Sequence, residues 1–547
     1  MKNLDILSEY DVTIVGGGLA GSTLAHQIRL DQEDRKILVV EANSYPLPLA
    51  KFKVGESTVD MAGHYLKDML GLKNYLEKEQ LPKYGLRFFL PAVNNTDITK
   101  RVEIGNLKRP ESKSYQIDRG HFENHMRNLL LEENVSFIDS AKISDISIGQ
   151  QSGFHEFTLR REGQEDRKVK SRWLIDASGQ AQILKKQLDL TKNVNSNHFS
   201  VWFRVNDEVE INALSNDPDW LEKVPEIARK LCTNHLLGEG YWIWIIPLSG
   251  GCTSIGIVAD CEYHSMNSMN TLPKAFAWLD EQEPQFSRYL RSFSEKVMDF
   301  KRMDKFTYSA KQVFSSDRWA LTGIAGTFTD PFYSPGTDFI AISNTLINKL
   351  IIEDFEGKDI SSNAKNYEQM FFSGFDLLLS TVENQYGIFK HNLAMSCKVL
   401  WDATTAWSGV GLVFCSDHFT NDNVIEKIGE DLFVMSQLHT TMQQVFRRWS
   451  KTISDRSVSD SIIVDRIDNF TQRLQNNLTK QYDDESLVKQ IAHNRNVMST
   501  LAVDLFSLVE EKNVEETEIA ILVDGYQHQS EIFGELKELL FYSNSVN

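Results

Sequence analysis

Three short stretches of the chain carry residue types with chemistry to do. The first is LPKYGLRFFL, residues 81–90, which reads as a strand placing Lys83 on one face with Gly85, Arg87 and Phe89, inside an apolar run. An edge strand that uses Lys and Arg to blunt unwanted pairing is the ordinary reason for such a lysine. The second is Gly16-Gly17-Gly18-Leu19-Ala20-Gly21, with Glu41 twenty residues beyond its last glycine. Gly16 permits a tight turn, Gly18 lets a pyrophosphate approach the backbone, and Gly21 lets helix and strand pack closely; Glu41 is placed to accept from ribose hydroxyls. This pattern predicts a bound dinucleotide. The third is Phe328-Thr329-Asp330-Pro331-Phe332-Tyr333-Ser334-Pro335-Gly336. Ser334 reads as a helix N-cap, Pro335 as the first helical residue and Asp338 as part of the first turn. The amides of Gly336 and Thr337 then stand at the positive end of a helix, where an anion is stabilised.

These residues need a scaffold, and the hydrophobic pattern supplies one. From residue 10 the order is strand (YDVTIV), glycine turn, helix (about 20–31) and strand (KILVVE), the βαβ unit of a parallel sheet. Between about 85 and 320 the segments SVWFRV, YWIWIIP and CTSIGIV read as antiparallel strands, the last two joined by the turn LSGG. Beyond about 338, amphipathic helical segments such as DFIAISNTLINKLIIEDF and SEIFGELKELLFY take over. The predicted fold class is α/β: a Rossmann-like βαβ fold with an inserted antiparallel β-sheet and a helical C-terminal region. Residues 1–345 form the nucleotide-binding unit, with the insert at about 85–115 and 190–310. Residues 346–547 form the helical unit that covers a substrate site.

NAD and FAD share the glycine cradle, so other segments decide between them. Tyr115-Gln116-Ile117-Asp118-Arg119 ahead of a helical pattern, and Trp173-Leu174-Ile175-Asp176-Ala177-Ser178-Gly179 ending in a small-residue turn, resemble the flavoprotein monooxygenase superfamily. Within it, Trp242-Ile243-Trp244-Ile245-Ile246-Pro247 resembles the WxWxIP signature of flavin-dependent halogenases. Lys53-Val54-Gly55-Glu56-Ser57-Thr58 looks like that family's GEx[ST] segment, where Ser57 and Asp60 also suit a capping box. Residues 328–336 fit its FxxPxxSxG pattern, and Lys83-Tyr84-Gly85-Leu86-Arg87-Phe88 resembles its KxGxRF segment, which matches the essential lysine to Lys83 rather than Arg87. The resemblance spans roughly residues 10–345.

The resemblance implies FAD bound by Gly16, Gly18, Gly21, Glu41, Gly55, Arg119, Asp330 and Gly336. It also implies chloride or bromide held near Ser334, Gly336 and Thr337, and an active-site wall of Trp242, Trp244 and Pro331. FADH2 from a separate flavin reductase, O2 and halide would give hypohalous acid. Lys83, in a passage where an ammonium loses hydration, would capture it by hydrogen bonding or as an N-halo amine and pass it to an aromatic ring. Glu56 and His64 are the candidate bases for the ring proton. Tyr333 stands where the tryptophan-specific branch has glutamate, which points to phenolic or pyrrolic substrates, free or on a carrier protein. Pro335 removes one amide from the halide site, and Ile324 replaces the Asp or Asn of a GDA or GNA turn. An aromatic hydroxylase of the same superfamily and a flavin-binding homologue without turnover are the competing readings. Segments 383–389 and 405–411 are aromatic-rich, and helix packing is their simpler explanation.

Composition narrows the field further. A chain of 547 residues with 41% hydrophobic content buries at least one large core, and a net charge of -18 argues against nucleic-acid or anionic-membrane partners. The five cysteines have no metal-ligand spacing, so no metal is expected and a reducing cytoplasm is. The start MKNLDILSEYD lacks signal-peptide character, and IAILVDG is too short to span a bilayer.

Overall fold

The computed structural model describes residues 6–49, 55–150, 153–224, 228–452 and 470–510. The strand Glu9–Val15 is the centre of the first sheet, flanked in parallel by Ile37–Val40 and Arg167–Asp176. Ser136–Ile138 and Trp319–Leu321 extend it in parallel on either side. His155–Arg161 and Ala141–Ser147 close one edge as antiparallel strands. Strands buried on both faces, such as ILVV at 37–40, are the runs without alternation, as a sheet covered by helices requires.

The second sheet holds seven strands in the order Lys301–Asp304, His198–Val205, Thr253–Asp260, Tyr241–Pro247, Thr233–Gly238, Leu86–Phe89, Glu103–Ile104. Its side chains alternate between two cores. Val201, Phe203, Ile243, Ile245, Ile255 and Ile257 point toward the helices Leu272–Gln282 and Pro284–Leu290, while Trp202, Trp242, Trp244 and Val258 point toward the C-terminal helices. An antiparallel sheet was expected here, and the structure corrects this at one pair: Thr233–Gly238 runs parallel to Leu86–Phe89.

The stretch 81–90 is not one strand. Gly85 adopts φ +98° and turns the chain between sheets, so Leu81–Lys83 pairs with Ser114–Gln116 and Leu86–Phe89 joins the second sheet. Lys83 and Arg87 therefore face different surroundings. Arg87 enters a buried ion cluster with Glu103 at 2.6 Å, which Arg229 joins at 2.8 Å.

The helix Gly336–Phe355 is buried along most of its length and packs against Leu19–Asp31 and Asp60–His64. Beyond it lie Ser361–Val382, Asn392–Ser408, Asp422–Thr452 and Asp484–Glu510. Met435, Leu438, Met442, Val445 and Trp449 recur at three- and four-residue spacing and meet Met498, Leu501, Ala502 and Leu505, so the last two of these helices share an apolar seam. The helical pattern at 530–542, the apolar run at 519–525, and Lys53 and Val54 lie outside the described residues. Among those described, no helix is long and apolar enough to cross a membrane.

Candidate active site

The glycine turn has the geometry its spacing predicts. Gly16 has φ +112°, and a Cβ there would stand 2.2 Å from the carbonyl oxygen of Ala177; one on Gly21 would stand 2.0 Å from that of Gly16. Gly18 is the residue before the helix Leu19–Asp31, and a Cβ on it would meet nothing closer than Glu123 Oε1 at 3.7 Å. Room is thus kept at Gly18 for a ligand rather than for the protein. Glu41 accepts from the Gly17 amide at 2.7 Å and from the Asn43 amide at 2.7 Å, which fixes its carboxylate beside the turn. The set fits the pyrophosphate and ribose of FAD. Gly18→Ala is accordingly expected to leave the melting temperature of the flavin-free protein unchanged and to weaken FAD binding by about tenfold or more, read by flavin absorbance after gel filtration.

Next to Leu19, which follows this turn, a cavity with about 1170 Å3 of empty space, counting its mouth open to solvent, lies against the second sheet. Gly55, Arg119, Gly323, Ile324, Trp242, Trp244, Pro331, Ser334, Gly336 and Thr337 all line it. Gly55 has φ +80°, and a Cβ there would lie 3.2 Å from a terminal nitrogen of Arg119. Arg119 is steadied by Glu123, whose Oε1 accepts at 2.5 and 3.1 Å. The indoles of Trp242 and Trp244 lie 5.8 Å apart, tilted, and the bare Cα of Gly256 on the next strand makes room for the Trp244 ring. Mostly apolar walls with a few polar groups suit a flat heteroaromatic ring.

At one side of the cavity the polar groups converge. Lys83 is 1% exposed; its Nζ donates to Ser57 Oγ at 2.8 Å and to the Thr58 carbonyl at 2.6 Å. Ser57 Oγ in turn accepts from Ser334 Oγ at 3.0 Å and meets Thr233 Oγ1 at 2.8 Å. Lost hydration pulls the Lys83 ammonium down to about 7, against the pull of Asp60 and Asp338. Burial pushes the Asp338 carboxyl up to about 8, while the Ala62 amide, donating to it at 2.8 Å, acts the other way. Lys83 itself is not on the cavity surface; Ser57 and Thr233 are, and the amine sits directly behind Ser57.

Ser334 adopts φ +59°, an unusual backbone for a residue with a side chain and one that functional turns retain. The helix cap is shifted by one from the expectation: Pro335 is the N-cap and Gly336 the first helical residue, because Ser334 directs its hydroxyl to Ser57 instead of to the helix amides. Gly336 opens onto free space, with no atom within 4 Å of where a Cβ would stand, and it lines the cavity together with Thr337.

Other expectations are corrected. No capping box forms from Ser57 and Asp60: the helix Asp60–His64 follows Val59 without a side-chain cap, and Asp60 accepts instead from Trp407 Nε1 at 2.8 Å and Gln475 Nε2 at 3.0 Å. Asp330 does not face the cavity as a cofactor contact. Its carboxylate accepts from Tyr386 Oη at 2.6 Å and from the Phe332 amide at 3.0 Å, and Tyr386 accepts from Trp242 Nε1 at 2.9 Å, so Asp330 braces the wall from behind. Glu56 lines the cavity but is ion-paired with Arg204 at 2.9 Å. His64 lies away from it, between Asp68 and Asp417, which ends its case as a base. Tyr386 and Phe389 pack in the core, as the simpler reading of segment 383–389 has it. Thr233 and His235, on the strand beside the tryptophans, are cavity residues that the sequence reading missed.

Residues 92–378 match the family model described as tryptophan halogenase, and residues 14–77 match an NAD(P)-binding Rossmann-like domain. Lys83 falls in the interval between the two spans. The chain is similar to flavin-dependent halogenase chlA of Dictyostelium discoideum, 26% identical over 462 residues that cover 77% of this chain and 74% of the relative. It is similar to a 1H-pyrrole-2-carbonyl peptidyl-carrier-protein chlorinase of Pseudomonas fluorescens, 25% identical over 393 residues, 67% of this chain and 81% of that one. Its fold resembles the solved structure of halogenase PltM in complex with phloroglucinol and FAD, with TM-score 0.59 at 16% identity over 90% of this chain and 95% of that one.

Proposed function

The chain belongs to the tryptophan halogenase family, and from that premise we propose that it is an FADH2-dependent halogenase that oxidises chloride or bromide with O2 and halogenates an electron-rich aromatic ring. Bound reduced flavin, delivered by a separate reductase, supplies with O2 the oxidising equivalents that convert halide to hypohalous acid. Gly16, Gly18, Gly21 and Glu41 hold the dinucleotide end, and Gly55, Arg119 and Gly336 border the ring end. The amides of Gly336 and Thr337, at the positive end of a twenty-residue helix, hold the halide, with Ser334 oriented beside them. Trp242, Trp244 and Pro331 keep bulk water away from the oxidant. Lys83 takes the halogen and hands it to the ring.

The observation that carries this reading is the hydrogen-bond path from Ser334 through Ser57 to Lys83, which joins the helix end that favours an anion to an amine depleted of hydration. Phenolic and pyrrolic rings are the proposed substrate class, free or on a carrier. The pyrrolyl-carrier chlorinase and the phloroglucinol-bound halogenase act on or bind such rings, and Tyr333 occupies the place of the glutamate in the tryptophan-specific branch.

Incubation with a flavin reductase, O2, chloride or bromide and a panel of phenols and pyrroles, free and carrier-bound, tests the proposal by product mass. Halogen isotope patterns are expected; hydroxylated products without halogen would establish the hydroxylase reading, which the position of Lys83 behind Ser57 favours.

The pH dependence has a definite sign. Lys83 accepts halogen as the free amine, so single-turnover halogenation rises with pH through about 7 and levels off above it. Asp338 raises the Lys83 value only when ionised, and burial holds its own carboxyl at about 8, so Asp338→Asn is expected to leave this limb close to 7.

A further inference from the structure

The two tryptophans of the cavity wall are anchored differently. Trp244 donates its Nε1–H to Ser254 Oγ at 3.2 Å, a hydroxyl that resists oxidation. Trp242 donates its own to Tyr386 Oη at 2.9 Å, and Tyr386 donates its phenolic hydrogen to Asp330 Oδ2 at 2.6 Å. All three bonds are buried. Trp242 lines the cavity with Trp244, their ring centres 5.8 Å apart, whereas Tyr386 is fully buried behind it.

Beside the carboxylate stands His198. Its Nδ1 lies 3.1 Å from Asp330 Oδ2, off the direction of a hydrogen bond, and its ring stacks on Tyr386 at 4.1 Å and 28°. Burial and the Asp330 charge push the Tyr386 phenol well above its ordinary value, so the resting group keeps its proton. A phenol gives up an electron readily only when its proton leaves at the same time, and a short charge-assisted bond to a carboxylate provides for that. An oxidisable indole on the cavity, bonded to an oxidisable phenol with its own proton acceptor, is more than a brace for the wall requires.

We propose that Trp242 and Tyr386 form a relay that carries a one-electron oxidation out of the flavin cavity and holds it behind the wall. The inference goes beyond halogen transfer and needs only FAD in the cavity. A one-electron oxidant formed there, a photoexcited flavin or an oxygen-centred radical, takes an electron from the Trp242 indole and is itself reduced by one electron. Tyr386 returns an electron to the indole, its O–H bond breaks, and the proton crosses to Asp330. The products are neutral Trp242, a Tyr386 phenoxyl and a protonated Asp330. Ascorbate or a similar one-electron donor then supplies an electron, Asp330 returns the proton, and the O–H bond forms again. The rings packed on Tyr386, those of His198 and of Phe389 at 4.8 Å, are harder to oxidise, so the oxidation stops there. Lys83 and the Ser334 turn are thereby spared an oxidant that halogen transfer does not use.

FAD-loaded protein, its flavin content first confirmed by absorbance, is flashed with blue light in the presence of hexaamminecobalt(III), which removes the electron left on the flavin. Transient absorption is followed, and samples frozen after the flash are read by EPR. Wild type is expected to show an indole radical that decays as a tyrosyl radical rises. Tyr386→Phe keeps the ring and loses the tyrosyl signal, leaving a longer-lived indole radical and, after prolonged light in air, more oxygenated Trp242 in its peptide. Trp242→Phe also loses the tyrosyl signal although Tyr386 is intact, which a merely bracing tyrosine does not explain. Absence of a tyrosyl radical in flavin-loaded wild type, or one of wild-type size in Tyr386→Phe, overturns the inference. Should Tyr386→Phe not fold, Trp242→Phe decides: loss of the signal supports the relay, and a signal of wild-type size overturns it. A wild-type protein that shows the relay but halogenates no ring supports this inference and overturns the halogenase reading instead.

Discussion

Lys83→Met is expected to abolish halogenated product, by at least about a thousandfold, while FAD binding and O2 consumption continue. Met fills nearly the same volume but has no nitrogen to carry halogen. The same substitution is expected to leave the fold at least as stable as wild type, and this separates a chemical role from a structural one. Burial lowers the Lys83 value in the folded state to about 7 from the ordinary lysine value of 10.5. Between these values the unfolded chain binds more protons than the folded one, so this group's destabilising contribution is fully present below pH 7 and fades as pH rises toward 10.5. Lys83→Met removes that contribution. Its melting temperature should therefore match or exceed that of wild type near neutral pH, with the difference shrinking in alkaline buffer. The bonds to Ser57 and the Thr58 carbonyl are lost, but Ser57 keeps Thr233 and Ser334 as partners. A lysine kept only for packing would give the opposite pair of results: product retained and stability lowered.

The second large effect is on stability. Lys398 is fully buried in the helix Asn392–Ser408 and is ion-paired to Asp402 at 2.8 Å, one turn along. Gln443 accepts from Lys398 and donates to Asp402, each at 2.7 Å, and Tyr333 donates its hydroxyl to Asp402 at 2.7 Å. Asp402→Ala strands the Lys398 ammonium in an apolar core, a loss of about 3–5 kcal/mol. Thermal unfolding should register it as a clear fall in melting temperature. Lys398→Met should cost much less, because Asp402 keeps its Tyr333 and Gln443 donors. Tyr333 immediately precedes Ser334, so Asp402→Ala is also expected to slow halogenation at temperatures where the protein remains folded. Through this network the C-terminal helices help set the turn at Tyr333 and Ser334, where the halide is proposed to bind.

Local physics made much of this legible in the sequence. The Gly16–Gly21 turn, the strand–helix–strand order around it and the tryptophan strand depend on short-range steric rules and period-two alternation, which a sequence displays directly. The kink at Gly85 was harder, because Lys83 and Arg87 read as one strand face until the positive φ of Gly85 separates them. Ser57 and Ser334 each carried a plausible capping role. Their actual use, a hydroxyl bridge across 277 positions of chain, depends on tertiary contact that neither segment records. Asp330 was misread for a similar reason: its partner Tyr386 lies 56 residues away in the helical region. His235 could have been found. Gly238-Glu239-Gly240-Tyr241 is a hairpin turn signal, and folding the strand back on it sets His235 opposite Trp244 and Leu237 opposite Trp242.

The central claim, that the halogen passes through the Lys83 nitrogen, is met most directly by mapping that atom during turnover. Enzyme supplied with reductase, O2 and bromide but no aromatic acceptor is quenched and digested, and its peptides are weighed. The account predicts the paired bromine masses on the peptide containing Lys83, disappearing when a reactive phenol is added before quenching. Bromination of added phenol at the wild-type rate by Lys83→Met enzyme, with no bromine ever found at Lys83 in wild type, would contradict it.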